Sequence, residues 1–77
     1  MSKAQGRSVV VTGGASGIGL AIVTAFRELG DHVVSLDIED SSEANVSVNG
    51  DVREPSSSAA AVAEALDARG CLDVFVA

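Results

Sequence analysis

The residues best suited to chemistry in this chain are the glycines of segment 12–19, Thr-Gly-Gly-Ala-Ser-Gly-Ile-Gly. The segment follows a short apolar run and precedes a stretch with helical spacing. Amides at the start of a helix, uncovered by side chains and aided by the helix dipole, attract anions. Gly13 would allow a sharp turn, Gly17 a close approach of phosphate, and Gly19 close packing of helix on sheet. The segment therefore predicts a binding site for a diphosphate.

Asp37 supports this interpretation because it ends a second apolar run about twenty residues further on, where dinucleotide-binding βαβ units place a carboxylate for the ribose hydroxyls. The alternative is a flexible strand-to-helix loop, with Asp37 as a solvated turn residue. A nucleoside-triphosphate loop is excluded because no Gly-Lys-Ser or Gly-Lys-Thr closes the turn.

Apolar runs and helical patterns alternate along the chain. We expect strands at residues 8–12, 32–37, 46–48 and 72–77, and helices at residues 17–29 and 55–69, ended by Gly30 and Gly70. This order predicts an α/β fold with a parallel sheet and right-handed crossovers. The polar link 38–45 is short for a parallel crossover, which leaves the placement of the third strand open.

The spacing of apolar residues also predicts which face of each helix is buried. The expected buried residues are Ile18, Ile22, Ala25, Phe26 and Leu29 in the first helix, and Ala59, Val62, Ala63 and Leu66 in the second.

Composition limits the class of protein. The 77 residues form one small domain, and the 11 acidic and 5 basic residues give a net charge of −6. This charge argues against nucleic acid and anionic membrane surfaces as partners. A single cysteine and a single histidine exclude a disulfide framework and predict no metal site. Without a signal peptide or a membrane-length apolar run, we expect a cytoplasmic protein.

Three landmarks resemble the short-chain dehydrogenase/reductase family. Residues Thr12, Gly13, Gly17, Ile18 and Gly19 match its Thr-Gly-x-x-x-Gly-x-Gly pattern, Asp51 and Val52 resemble its Asp-Val pair, and segment 72–76 resembles its fourth strand. The resemblance implies a partial Rossmann-like parallel sheet with strand order 3-2-1-4 and covering helices. Residues 1–77 would be the N-terminal NAD-binding portion, truncated after the fourth strand.

The family also implies a role for individual residues. Ser16 and Ile18 would contact the pyrophosphate, Asp37 the ribose, Ile38 the adenine face, and Asp51 with Val52 its edge. A carboxylate at position 37 pairs with a free 2′-hydroxyl and repels a 2′-phosphate, so NAD is expected in preference to NADP. The expected cofactor-binding residues are therefore Gly13, Ser16, Gly17, Ile18, Gly19, Asp37, Ile38, Asp51 and Val52.

No catalytic residue is expected in this chain. It has no tyrosine, its one lysine is Lys3, and the family's Ser and Tyr-x-x-x-Lys would follow Ala77. The complete protein would transfer hydride between NAD and an alcohol or carbonyl substrate, while this chain alone would be inactive. A non-catalytic nucleotide-binding module and an interaction fragment are the alternatives. An exposed edge of strand 72–77 would favour self-association.

Overall fold

The computed structural model of the chain describes residues 6–77; Lys3 and the rest of residues 1–5 lie outside that range. One sheet of four parallel strands runs in the order β3-β2-β1-β4, with two covering helices. The elements are β1 (Ser8–Thr12), α1 (Gly17–Glu28), β2 (His32–Asp37), β3 (Val46–Asn49), α2 (Pro55–Arg69) and β4 (Val74–Val76). The expected order 3-2-1-4 is confirmed, and β3 pairs in parallel with β2 although the link between them contains no helix.

Buried valines on both faces of β1 explain its uninterrupted apolar sequence. Successive side chains of a strand point to opposite faces. Val9 and Val11 pack with Val23 of α1, whereas Val10 packs with Ala61 of α2 on the other face. The two helices therefore lie on opposite sides of the sheet, and each side has its own small core.

The buried face predicted for α2 is wrong. Ala61 and Ala65 are the buried residues of this helix. Their small side chains, four residues apart, let the helix backbone come close to the sheet, and the Ser8 hydroxyl donates a hydrogen bond to the carbonyl of Ala65 at 3.1 Å. Of the four residues expected to be buried, Val62 is half-buried and the other three are exposed: Ala59, Ala63 and Leu66.

The buried face predicted for α1 is right only in part. Ile22 and Phe26 pack against the core around Val23, but Ile18, Ala25 and Leu29 are exposed. Val23 lies four residues after Gly19, which contacts the preceding turn, so the face of α1 that meets the turn and the sheet includes Val23 and not Ala25. The helix ends at Glu28 with Leu29 as its cap, and Gly30 follows with φ +89°, as expected of a glycine after a helix.

β4 is shorter than the predicted strand 72–77. The Asp73 carboxylate accepts a hydrogen bond from the Ser8 amide at 2.8 Å, and the Asp73 amide donates to the Ser8 carbonyl at 2.9 Å. The Ser8 amide therefore bonds to the Asp73 side chain and not to a backbone carbonyl, and regular pairing of β4 with β1 begins only at Val74. Leu72 packs against the core on the α2 side instead.

Within residues 6–77, neither helix is long and apolar enough to cross a membrane.

An ion pair closes the end of the sheet where the strands begin. The buried carboxylate of Asp31 accepts hydrogen bonds from the Arg7 amide at 2.8 Å and from its guanidinium at 3.0 Å. The same guanidinium lies 5.5 Å from the centre of the Phe26 ring. Burial alone would raise the pKa of Asp31, but the hydrogen bonds from Arg7 outweigh it and lower that pKa.

His32 lies beside this pair with its Nδ1 atom buried and without a hydrogen-bond partner in the described part of the chain. Burial lowers the pKa of His32, and the nearby positive charges of Arg69 and Arg27 lower it further, against a small opposing effect of Glu64. The folded protein therefore favours the neutral imidazole.

We expect stability to fall when the pH is lowered from about 7.5 to 5.5, because the unfolded state then binds a proton that folded His32 resists. Since His32 is the only histidine, the variant His32→Gln should remove this step. A second loss below about pH 4, from Asp31 and other carboxylates with lowered pKa, should remain. Urea midpoints measured across this range test the expectation, and an unchanged slope between pH 7.5 and 5.5 in His32→Gln would contradict it.

The outer edge of β4 has no neighbouring strand among residues 6–77. Its sequence Val-Phe-Val carries neither charge nor proline to discourage pairing, and Phe75 is 43% exposed. Self-association through this edge therefore stays a prediction.

The apparent mass of the chain should rise with concentration in sedimentation equilibrium, and Phe75→Lys should hold it at the monomer because a charge at the edge opposes strand pairing. Leu29→Lys is the matched control, since it removes an exposed apolar side chain at the end of α1, which does not contact β4. A wild-type chain that stays monomeric at all concentrations would show that the edge does not associate.

Candidate functional site

The glycine turn lies at the carboxyl end of the sheet, between the end of β1 at Thr12 and the start of α1 at Gly17. Gly13 and Gly17 have φ values of +72° and +60°, a region that favours glycine. The Gly13 amide donates to the carbonyl of Leu36 at 2.8 Å. The turn is therefore fixed directly beside the end of β2.

Unbonded amides mark the start of α1. The first helical hydrogen bond runs from the Leu20 amide to the carbonyl of Ser16 at 3.2 Å. Within residues 6–77, the amides of Ser16, Gly17, Ile18 and Gly19 donate no hydrogen bond, and no acidic side chain lies in the first turn of the helix. Such amides, with the positive end of the helix dipole, suit an anionic oxygen.

The glycines of the turn serve two different purposes. A Cβ atom on Gly14 would lie 2.5 Å from the Ser35 hydroxyl, and one on Gly19 would collide with the Gly13 carbonyl. A Cβ atom on Gly13 or Gly17 would meet no atom of the chain within 4 Å. The first two positions therefore allow the turn to pack closely, while the other two leave space open beside it. The packing role of Gly14 was not predicted from the sequence.

Asp37 joins the turn to the end of β2. Its Oδ2 atom accepts a hydrogen bond from the Ala15 amide at 3.2 Å, and its Oδ1 atom accepts one from the Glu39 amide at 3.3 Å. The Gly50 amide donates to the Asp37 carbonyl at 3.0 Å, which brings the segment after β3 alongside. The carboxylate is half-buried and stays in reach of a ligand beside the turn.

A cavity of about 320 Å³ opens next to Asp37. Ile38 and Val52 face solvent there, with 73% and 49% of their surface exposed. Five of the nine expected residues line the cavity, and the other four lie at the adjoining start of α1. The cavity residues are Gly13, Asp37, Ile38, Gly50, Asp51, Val52 and Arg53.

Arg53 is a cavity residue that sequence reasoning missed. Its guanidinium forms an ion pair with the Asp51 carboxylate, with 2.8 Å between Nη2 and Oδ2, and its own amide donates to Asp51 Oδ1 at 2.9 Å. These hydrogen bonds lower the pKa of Asp51. The sequence contains one indication of this pair, because Arg53 follows Asp51 by only two residues.

Two other residues of chemically reactive types lie away from the cavity. His32 is at the opposite end of the sheet, and Cys71 is an exposed free cysteine after α2. In the part of the chain that the structure describes, no group of three or more His, Cys, Asp or Glu side chains could hold a metal ion.

Known proteins with a similar sequence include oxidoreductases. A family model described as short chain dehydrogenase matches residues 7–77. An uncharacterized oxidoreductase of Schizosaccharomyces pombe is 35% identical over 75 residues, covering 94% of this chain and 29% of the relative. The oxidoreductase UcpA of Salmonella typhimurium is 33% identical over 87 residues, covering 99% of this chain and 33% of the relative.

Solved structures share the arrangement of strands and helices. The ligand-free aldohexose dehydrogenase of Thermoplasma acidophilum superimposes with a TM-score of 0.80 at 32% identity, covering 96% of this chain and 29% of that one. A short chain dehydrogenase of Bacillus anthracis gives a TM-score of 0.79 at 21% identity, over 94% of this chain and 35% of that one, and so shows the fold alone. The chain spans about a third of the length of these proteins.

Gly19→Ala should destabilise the fold, although alanine normally stabilises a helix by about 0.5–1 kcal/mol over glycine. The added methyl group must displace the Gly13 carbonyl, and we expect a cost of roughly 1–3 kcal/mol. Thermal unfolding should show a midpoint lower by several degrees. Ala21→Gly, on the exposed side of the same helix, is the comparison and should cost less; a Gly19→Ala midpoint at or above wild type would refute the proposed contact.

Proposed function

The chain belongs to the short-chain dehydrogenase family, and from that premise we propose that its glycine turn and the adjoining cavity bind NAD. The unbonded amides of Ser16, Gly17, Ile18 and Gly19 carry this proposal, because they lie at a helix N-terminus beside the open space above Gly13 and Gly17. A pyrophosphate there would receive hydrogen bonds that the protein leaves unused.

The cavity suits the adenosine half of the cofactor. The Asp37 carboxylate would accept hydrogen bonds from the ribose hydroxyls, since only one backbone amide bonds each of its oxygens. Ile38 and Val52 would contact the base through apolar surface that is otherwise exposed to water. These residues bind and orient the cofactor.

The charges around the cavity favour NAD over NADP. A 2′-phosphate would lie near the Asp37 carboxylate, which repels it. Arg53 is the one cationic side chain among the cavity residues, and it is already paired with Asp51. No free cation among the lining residues would therefore offset the repulsion.

In the complete protein we propose hydride transfer between NAD and an alcohol or carbonyl substrate. The hydride would come from the reduced form of the bound cofactor or pass to its oxidised form. The residues of this chain hold the cofactor, and none of them is assigned to proton transfer, so we expect the chain alone to bind NAD without turnover. The cytoplasmic location expected from the sequence stays a prediction.

Isothermal titration calorimetry should show that the chain binds NAD at least about tenfold more tightly than NADP, a difference of about 1.4 kcal/mol. Gly17→Val should abolish binding of both, because its side chain would fill the space proposed for the pyrophosphate. Retention of NAD binding by Gly17→Val would contradict the proposed site.

Gly70→Val is the matched control for backbone strain. Gly70 has φ +80° and open space around its Cα, as Gly17 does, but it lies at the other end of the sheet. Both variants carry the same cost of a β-branched residue in the left-handed region. Gly70→Val should therefore lose stability without losing affinity for NAD.

A further inference from the structure

We propose that Ser35 is a positioning residue for the cofactor. Its short, buried side chain lets the glycine turn lie close to β2, so that the amides at the start of α1 and the Asp37 carboxylate can meet the same ligand. This inference rests on the proposed NAD site. It concerns a fully buried residue, which acts on the cofactor only through the turn.

Ser35 lies on the face of β2 that packs against α1. Side chains two residues apart in a strand share a face, and Val33 packs with Val23 of α1. Ser35 is also in register with Val11 of β1, which belongs to the same core. Ser35 is therefore a polar side chain beside an apolar core, and none of its surface is exposed.

The hydroxyl of Ser35 makes no hydrogen bond within residues 6–77. Ser47 is in register with it on β3, but the Ser47 hydroxyl accepts from the Ser41 amide at 2.9 Å and donates to the Ser41 carbonyl at 3.4 Å. A buried hydroxyl without a partner lowers stability, and β-branched side chains suit a strand better than serine does. Hydrogen bonding and strand propensity therefore do not explain a serine at this position.

The small size of Ser35 explains it, because Gly14 of the turn lies directly against this residue. A Cβ atom on Gly14 would be 2.5 Å from the Ser35 hydroxyl oxygen and 3.0 Å from the Ser35 Cβ atom. The same position is 2.9 Å from a methyl group of Val23. Protein interiors are closely packed, so a methyl group added at residue 35 must displace one of these neighbours.

The turn is the neighbour that can move. Val23 is fully buried within the core between α1 and the sheet. The turn borders open space, since a Cβ atom on Gly13 or Gly17 would meet no atom within 4 Å. A larger side chain at residue 35 should therefore push the turn away from β2.

Two hydrogen bonds on either side of Gly14 would be lost by this movement. The Gly13 amide donates to the Leu36 carbonyl at 2.8 Å, and the Ala15 amide donates to the Asp37 carboxylate at 3.2 Å. These bonds hold the start of α1 next to Asp37. Without them, the amides proposed for the pyrophosphate would no longer be aligned with the carboxylate proposed for the ribose.

Calorimetry of the whole chain with NAD, inorganic pyrophosphate and adenosine tests this inference, because pyrophosphate probes the turn and adenosine probes the cavity. Ser35→Val adds one non-hydrogen atom. It should weaken the binding of NAD and pyrophosphate about tenfold or more, as expected when a hydrogen bond to a charged group is lost, while adenosine binding stays within about threefold of wild type. Ser35→Ala, which is smaller, should bind all three ligands within about threefold of wild type.

Val33→Ile is the matched control, since it also adds one non-hydrogen atom on the same face of β2 but farther from the turn. It should lower the thermal midpoint through overpacking and leave the affinity for NAD unchanged. A residue with a merely structural role would lower the affinity for all three ligands together, through the folded fraction alone.

The inference is wrong if folded Ser35→Val binds NAD and pyrophosphate as wild type does, or if it loses adenosine to the same extent. Should circular dichroism show that Ser35→Val is unfolded, Ser35→Cys decides, because it places a larger sulfur atom against Gly14 and removes the unpaired hydroxyl. It should weaken pyrophosphate binding and spare adenosine, and equal effects on both would overturn the inference. A wild-type chain that binds neither NAD nor pyrophosphate would refute the proposed site itself.

Discussion

Close contact between the glycine turn and the strand ends beneath it positions the whole carboxyl edge of the sheet. Gly14 lies against Ser35 of β2, and Gly19 lies against the Gly13 carbonyl, with no room for a Cβ atom at either contact. Because no side chain separates these groups, α1 begins directly beside the ends of β1 and β2. The unbonded amides of the helix and the Asp37 carboxylate consequently lie at the same edge of the sheet, where the carboxyl ends of the parallel strands meet.

Much of this architecture could be predicted because buried parallel strands have simple sequences. β1 and β2 begin and end where the apolar runs do, and Pro55 and Gly70 bound α2. The glycines that follow β1 also predicted the position of the turn between Thr12 and Gly17. The family resemblance supplied the strand order and most of the residues that line the cavity, since these depend on landmarks in the chain.

The side-chain pairs could not be predicted in the same way. Arg7 and Asp31 are 24 residues apart, and only the pairing of β1 with β2 brings them together. In the sequence, Asp31 is indistinguishable from a solvated turn residue. Arg53 was missed for a different reason: its pairing with Asp51 depends on the dihedral angles of the turn before α2. The Arg7–Asp31 pair buries its carboxylate, whereas the Asp51–Arg53 pair stays exposed beside the cavity.

The incorrect buried face of α2 and the open edge of β4 have one physical cause. Apolar periodicity reports where apolar surface lies, but not whether another element covers it. Phe75 is in register with Val10, whose side chain packs under α2, so both point to the α2 side of the sheet. The helix contacts β1, β2 and β3 but not β4 among residues 6–77. Leu66 and Phe75 therefore stay 43% exposed on the same side of the sheet. The apolar pattern of α2 thus includes residues that no other element within residues 6–77 covers.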